Sequence, residues 1–118
     1  MLQTLTTPRG ETLSGTPWQV YPRPQMRRDS YINLNGEWDF AVSSGKPETF
    51  DMRITVPFCP ESRLSGIGRH FEEGAPLWYR RRFLLPEGFR RERVLLHIGA
   101  ADQIAEVFVN GQHLCRHE

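Results

Sequence analysis

Between Phe58 and Pro76 the chain carries Glu61, Arg63, Arg69, His70, Glu72 and Glu73 in a stretch rich in Gly, Pro and Ser. Carboxylates with an imidazole nearby are the raw material of acid–base chemistry. Bond cleavage by two carboxyl groups of the nucleophilic type requires them about 5 Å apart, on opposite sides of the scissile bond and on rigid supports. Glu72 and Glu73 are sequence neighbours in a Gly-bounded loop and do not satisfy that, so they read as solvated loop charges and no residue is assigned a catalytic role. A second set, His113, Cys115 and His117, falls at alternate positions near the end of the chain. Imidazole and thiolate both suit zinc, yet alternate residues of one strand lie roughly 6 to 7 Å apart and cannot converge on one ion without a bend and a further ligand. No metal site is assigned. Phosphate-cradling glycine loops, Cys–His nucleophile pairs and serine elbows are absent from the sequence, and no cofactor is expected.

What surrounds these residues is an ordinary globular composition: 118 residues, 38% hydrophobic, 25% charged, net charge +1. That balance is too apolar for a disordered chain and too interrupted for a membrane span. A near-neutral chain also argues against nucleic acid as a partner. Arg27-Arg28, Arg80-Arg81-Arg82 and Arg90-Arg91 are local basic clusters, which read as solvated turns and strand faces. Two cysteines, Cys59 and Cys115, show no spacing of a disulfide framework. The first fifteen residues lack the apolar stretch of a secretory leader, so the expected location is the cytoplasm.

The elements that must position the loop are strands. Leu77 to Pro86, Arg93 to Gly99 and Ala105 to Gly111 are three runs with period-two alternation, separated by turn signals such as Pro86-Glu87-Gly88. They are expected to form the centre of a sheet, with Tyr79, Phe83 and Leu85 facing inward. Asn110-Gly111 is the dipeptide best suited to a two-residue turn with positive φ at both positions, so a strand should return from Gln112. Earlier, Ile32 and Leu34 precede Asn35-Gly36 while Trp38, Phe40 and Val42 alternate after it, which predicts another hairpin with Trp38 and Phe40 in the core. Phe50 to Val56 reads as a strand ending at Pro57. The fold class is all-β.

Four pieces in order, NLNGEWDF (Asn33 to Phe40), ITVP (Ile54 to Pro57), LWYRRRF (Leu77 to Phe83) and VFVNG (Val107 to Gly111), resemble the amino-terminal sugar-binding domain of glycoside hydrolase family 2, the β-galactosidases, β-glucuronidases and β-mannosidases. The resemblance implies a jelly-roll-like β-sandwich of the galactose-binding type, with residues 1–30 as an extended arm and 31–118 as a partial sandwich about half written. In that family two catalytic glutamates sit on a separate barrel, so the resemblance implies that none carries over and that this chain by itself is inactive. It further implies a role in binding carbohydrate and framing the active site of a retaining β-glycosidase, with the remaining domains of the parent enzyme as partners. Arg63, Arg69 and His70 become substrate-proximal candidates, because the family's corresponding loop faces the barrel. A free-standing carbohydrate-binding module and a purely structural sandwich are the alternatives. An incomplete sandwich is also expected to be marginal, either self-associating through its uncovered apolar face or open edge or only partly ordered.

Overall fold

The computed structural model describes residues 7–118. The chain is all-β apart from short helical turns, and it forms two compact units, divided between Leu84 and Leu85. In the first, a single turn of helix, α1 (Pro8–Glu11), is capped by the Thr7 hydroxyl, which accepts from the Gly10 N–H at 3.1 Å. A 3-10 turn follows at Pro24–Met26. Then comes a three-stranded antiparallel sheet, β1 (Gly36–Val42), β2 (Met52–Val56) and β3 (Leu77–Arg80), with β1 in the centre.

Register sorts the side chains of this sheet onto two chemically different faces. Trp38 pairs with Ile54, and Phe40 pairs with Met52 on one side and Tyr79 on the other. Residues directly opposite each other share a face, so this side is apolar. Phe40 and Ile54 are fully buried there, and Phe40 meets Tyr79 edge-on at 5.1 Å and Phe71 at 5.7 Å between ring centroids. The other face carries Asp39 between Arg53 and Arg80. Arg80 donates from Nε and Nη2 to Asp39 Oδ2 at 3.0 and 2.9 Å, Arg53 bonds Glu37, and the Arg80 guanidinium stacks on Phe50 at 4.1 Å. Alternation within GEWDFAV therefore does what it predicts, with two adjustments: Trp38 is half-buried, its indole N–H donating to the Leu34 carbonyl at 2.7 Å, and Ala41, on the face opposite Phe40, is buried as well.

Asn35-Gly36 does not make the expected hairpin. Residues 31–35 form no strand, and β1 starts at Gly36. Long-range polar contacts take over the local turn signal: Arg81 Nη1 donates to the carbonyls of Leu34 and Asn35 at 2.6 and 2.9 Å, while Asn33 and Asn35 both donate to the Trp18 carbonyl. Gly36 adopts φ +125°, and a Cβ there would stand 3.2 Å from Thr16 Cγ2 and 3.3 Å from Arg81 Nη1. The glycine is needed for that close approach, not for a reversal.

The expectation for residues 77–111 needs more revision. β3 is four residues long instead of ten, and Tyr79 within it, like Phe83 and Leu85 beyond its end, remains about half-exposed. Arg93 to Gly99 joins no sheet, and Val94, Leu96 and Ile98 are exposed. Period-two alternation specifies which face would be buried, but a strand exists only where a neighbouring backbone completes its hydrogen bonds. In the second unit the ordered element is the hairpin of β4 (Ala105–Val109) and β5 (Gln112–His117). Its turn is as read: Asn110 has φ +51° and Gly111 φ +78°. The central sheet expected over 77–111 is thus two separate sheets, with β3 in one and β4–β5 in the other.

Candidate functional site

The loop leaving β2 at Val56 folds back over the apolar face of the first sheet, because Phe71 must reach Phe40. A 3-10 turn at Arg63–Ser65 organises it. Ser65, the buried polar side chain of this region, donates to the Ser62 carbonyl at 2.7 Å and accepts from the Ile67 N–H at 3.0 Å, while Gly66 ends the turn at φ +84°. Satisfying a buried hydroxyl within the loop itself makes residues 60–67 a self-contained shelf instead of a floppy connection.

The three candidates sit on this shelf in two places. Arg69 and His70 are held on its return arm: the Arg69 N–H donates to the Pro60 carbonyl at 3.3 Å, its guanidinium lies 4.6 Å above the Phe71 ring, and His70 Nδ1 is 3.6 Å from Glu61 Oε1. Arg63 opens the 3-10 turn and is exposed, with no ion-pair partner among the described residues. Arg69 and His70 on the return arm thus face Pro60 and Glu61 on the outgoing one, and among the described residues no hydrogen bond or ion pair joins the Arg63 side chain to them.

Reasoning from sequence missed Tyr79 as a member of this patch. It lies on β3 opposite Phe40, and burial raises the pKa of its hydroxyl above the ordinary 10.0, with the nearby Glu61 carboxylate and the Cys59 thiol adding in the same direction. Tyr79 accordingly stays protonated and can donate or accept a hydrogen bond in the neighbourhood of the Glu61 carboxylate. The only signal in the sequence was its place in the alternation of LWYR, which identified it as core. A patch of phenol, carboxylate, imidazole and guanidinium over aromatic rings suits a hydroxyl-rich ligand.

Glu72 and Glu73 are exposed in a turn closed by the Ala75 N–H on the Glu72 carbonyl at 3.1 Å. They are neighbours on one arm, not carboxylates on two opposed supports. His113, Cys115 and His117 stand along β5, where the register shift between Val107 and Phe108 sets His113 against Phe108 and Cys115 against Val107. His113 Nε2 lies 3.4 Å from Glu106 Oε2, and among the described residues no three His, Cys, Asp or Glu side chains gather as a metal site would require. Also among them, no helix is long and apolar enough to cross a membrane.

No protein-family model matches the chain. The chain is similar to β-glucuronidases. It is 32% identical over 120 residues to a β-glucuronidase of Chlorocebus aethiops, a match covering 84% of this chain and 18% of that protein. It is 28% identical over 117 residues to β-glucuronidases of Canis lupus familiaris and Felis catus, with the same coverage. The chain therefore spans less than a fifth of the length of these relatives.

Proposed function

We propose that this chain is an amino-terminal domain of a family 2 glycoside hydrolase and that it frames the sugar-binding end of a retaining β-glycosidase. The observation that carries the reading is the similarity to β-glucuronidases across 84% of the chain. The four family-like pieces also coincide with secondary structure: they fall on β1, β2, β3 and β4 in that order. In this reading residues 1–30 are the arm and 31–118 a partial jelly roll, and Arg63, Arg69 and His70, joined now by Tyr79, face the bound carbohydrate. The two catalytic glutamates belong to the parent enzyme's barrel. Two exposed free thiols, Cys59 and Cys115, fit work in the reducing cytoplasm. A free-standing carbohydrate-binding module is the second reading, favoured by the 65% exposure of Trp18, an aromatic able to stack on a sugar ring.

Chromogenic β-galactoside, β-glucuronide and β-mannoside separate these readings from an enzyme. The purified chain is expected to turn over none of them. Reproducible turnover that disappears in Glu72→Gln or Glu73→Gln would overturn the framing role, since it would put a catalytic carboxylate in the loop.

A further inference from the structure

The dipeptide Asn-Gly occurs at Asn35-Gly36 and again at Asn110-Gly111, and the fold puts the two copies in opposite surroundings. The pair is labile for a reason internal to it: the side-chain amide carbon of asparagine lies within reach of the next backbone nitrogen, and a glycine there has no side chain to hinder the approach. Whether the two atoms meet in a folded chain depends on what else holds them. At Asn110-Gly111 little does. Both residues are exposed, and the Asn110 side chain makes no hydrogen bond, ion pair or ring contact among the described residues. Val109 and Gln112 are the pair that closes the two-residue turn, which leaves the Gly111 N–H outside the ladder. A Cβ placed on Gly111 would meet nothing within 4 Å, so the space around it is open to water.

At Asn35-Gly36 every one of these conditions is reversed. Gly36 is buried, and a Cβ there would stand 3.2 Å from Thr16 Cγ2 and 3.3 Å from Arg81 Nη1. Asn35 is fastened at three points: its N–H donates to Asn33 Oδ1 at 2.8 Å, its Nδ2 to the Trp18 carbonyl at 3.4 Å, and its carbonyl accepts from Arg81 Nη1 at 2.9 Å. Attack would need the side chain to leave Trp18 and water to enter the junction. We infer that Asn110 is a site of spontaneous deamidation in the folded protein and that Asn35, in the same dipeptide, is shielded from it. In the reaction the Gly111 nitrogen bonds to Asn110 Cγ while the Cγ–Nδ2 bond breaks; the former amide proton leaves with that nitrogen as ammonia, and a five-membered imide remains. Water then opens the imide at either carbonyl, giving aspartate or isoaspartate. Asp-Gly suits the same turn as Asn-Gly, whereas isoaspartate adds a methylene to the main chain and spoils the match between β4 and β5. None of these residues belongs to the patch of Arg63, Arg69, His70 and Tyr79, so the inference stands apart from the framing role.

Peptide mapping by mass spectrometry tests it, on the full chain aged at mildly alkaline pH in native buffer and, in parallel, in concentrated guanidinium chloride. In the native chain Asn110 is expected to convert at least about tenfold faster than Asn35, a factor that an opening cost of about 1.4 kcal/mol at the Gly36 junction supplies. In denaturant the two should convert at similar rates, because the same dipeptide then reacts without structure around it. Arg81→Leu removes the donor to the Leu34 and Asn35 carbonyls and should speed Asn35 while leaving Asn110 as it was. Equal native rates, faster native conversion of Asn35, or a native Asn110 that stays intact while its denatured counterpart converts would each overturn the inference. An Asn35 rate unmoved by Arg81→Leu would overturn the shielding. Amide spectra over residues 105–117 check the consequence: Asn110→Asp should keep the hairpin pattern and the purified isoaspartate form should lose it, and identical spectra would refute the effect on the hairpin.

Discussion

Phe40 and Tyr79 carry most of the physics of the first sheet. Phe40 is fully buried at the centre of the middle strand, with aromatic contacts from the loop on one side and from β3 on the other. Phe40→Ala is expected to cost about 3–5 kcal/mol, whereas Trp38→Ala, at a half-buried ring, should cost about half as much. Urea unfolding followed by tryptophan fluorescence (Trp78 for the Trp38 variant) would compare them, and an equal or reversed order would contradict the burial. Tyr79 makes a different prediction. Its folded-state pKa is raised above 10.0, first by burial and then by Glu61 and Cys59. The native state thus holds a proton that the unfolded chain releases, and the associated stability is intact below pH 10 and falls as pH rises beyond it. Absorbance at 295 nm should show one tyrosine titrating later than the others, and Tyr79→Phe should remove that component. Its persistence in the variant would assign it elsewhere.

At the scale of elements, the start of β1 depends on Gly36 and on residues far away in sequence. Positive φ and the proximity of Thr16 and Arg81 both oppose a side chain there. Gly36→Ala should destabilise the first unit by about 1–3 kcal/mol, and Arg81→Leu should also destabilise it, by removing the donor to Leu34 and Asn35. Thermal unfolding of the single and double variants gives the coupling: less than additive losses are expected, because both act on the same junction. Full additivity would mean that the glycine and the arginine act independently.

For the whole molecule, the balance between covered and uncovered apolar surface governs behaviour. Among the described residues the buried hydrophobic side chains are Phe40, Ala41 and Ile54, while Val94, Leu95, Leu96, Ile98, Phe108 and Leu114 are exposed in the second unit. At about 25 cal/mol per Å2, a few hundred Å2 of such surface left wet forfeits several kcal/mol, comparable to the stability of a small domain. The chain is therefore expected to be marginally stable and to self-associate, through apolar surface or through a strand edge open to another chain. Light scattering coupled to size exclusion, together with a thermal melt, checks this. A clean monomer unfolding cooperatively above about 60 °C would show the surface to be adequately covered.

The sequence by itself determined what rests on near neighbours. The alternation of GEWDFAV selected Phe40 for the core, MRITV gave the next strand up to its proline, and Asn110-Gly111 gave the turn of the second hairpin, because each of these is a property of a few consecutive residues. The loop was legible as a loop from its composition, whereas Arg63, Arg69 and His70 were singled out in it only by what the family resemblance implies. Only the tertiary structure decided which signals prevail where distant groups compete for the same backbone. Arg81, forty-seven residues downstream, takes the Leu34 carbonyl that an Asn35-Gly36 hairpin would have used. Arg93 to Gly99 has a strand's pattern but no partner backbone, so it joins no sheet. Tyr79 enters the candidate site because register sets it opposite Phe40 while the loop brings Glu61 and Cys59 close to its hydroxyl. Hydrogen-bond partners and desolvation are set by positions in space, and chain order encodes those positions only through the completed fold.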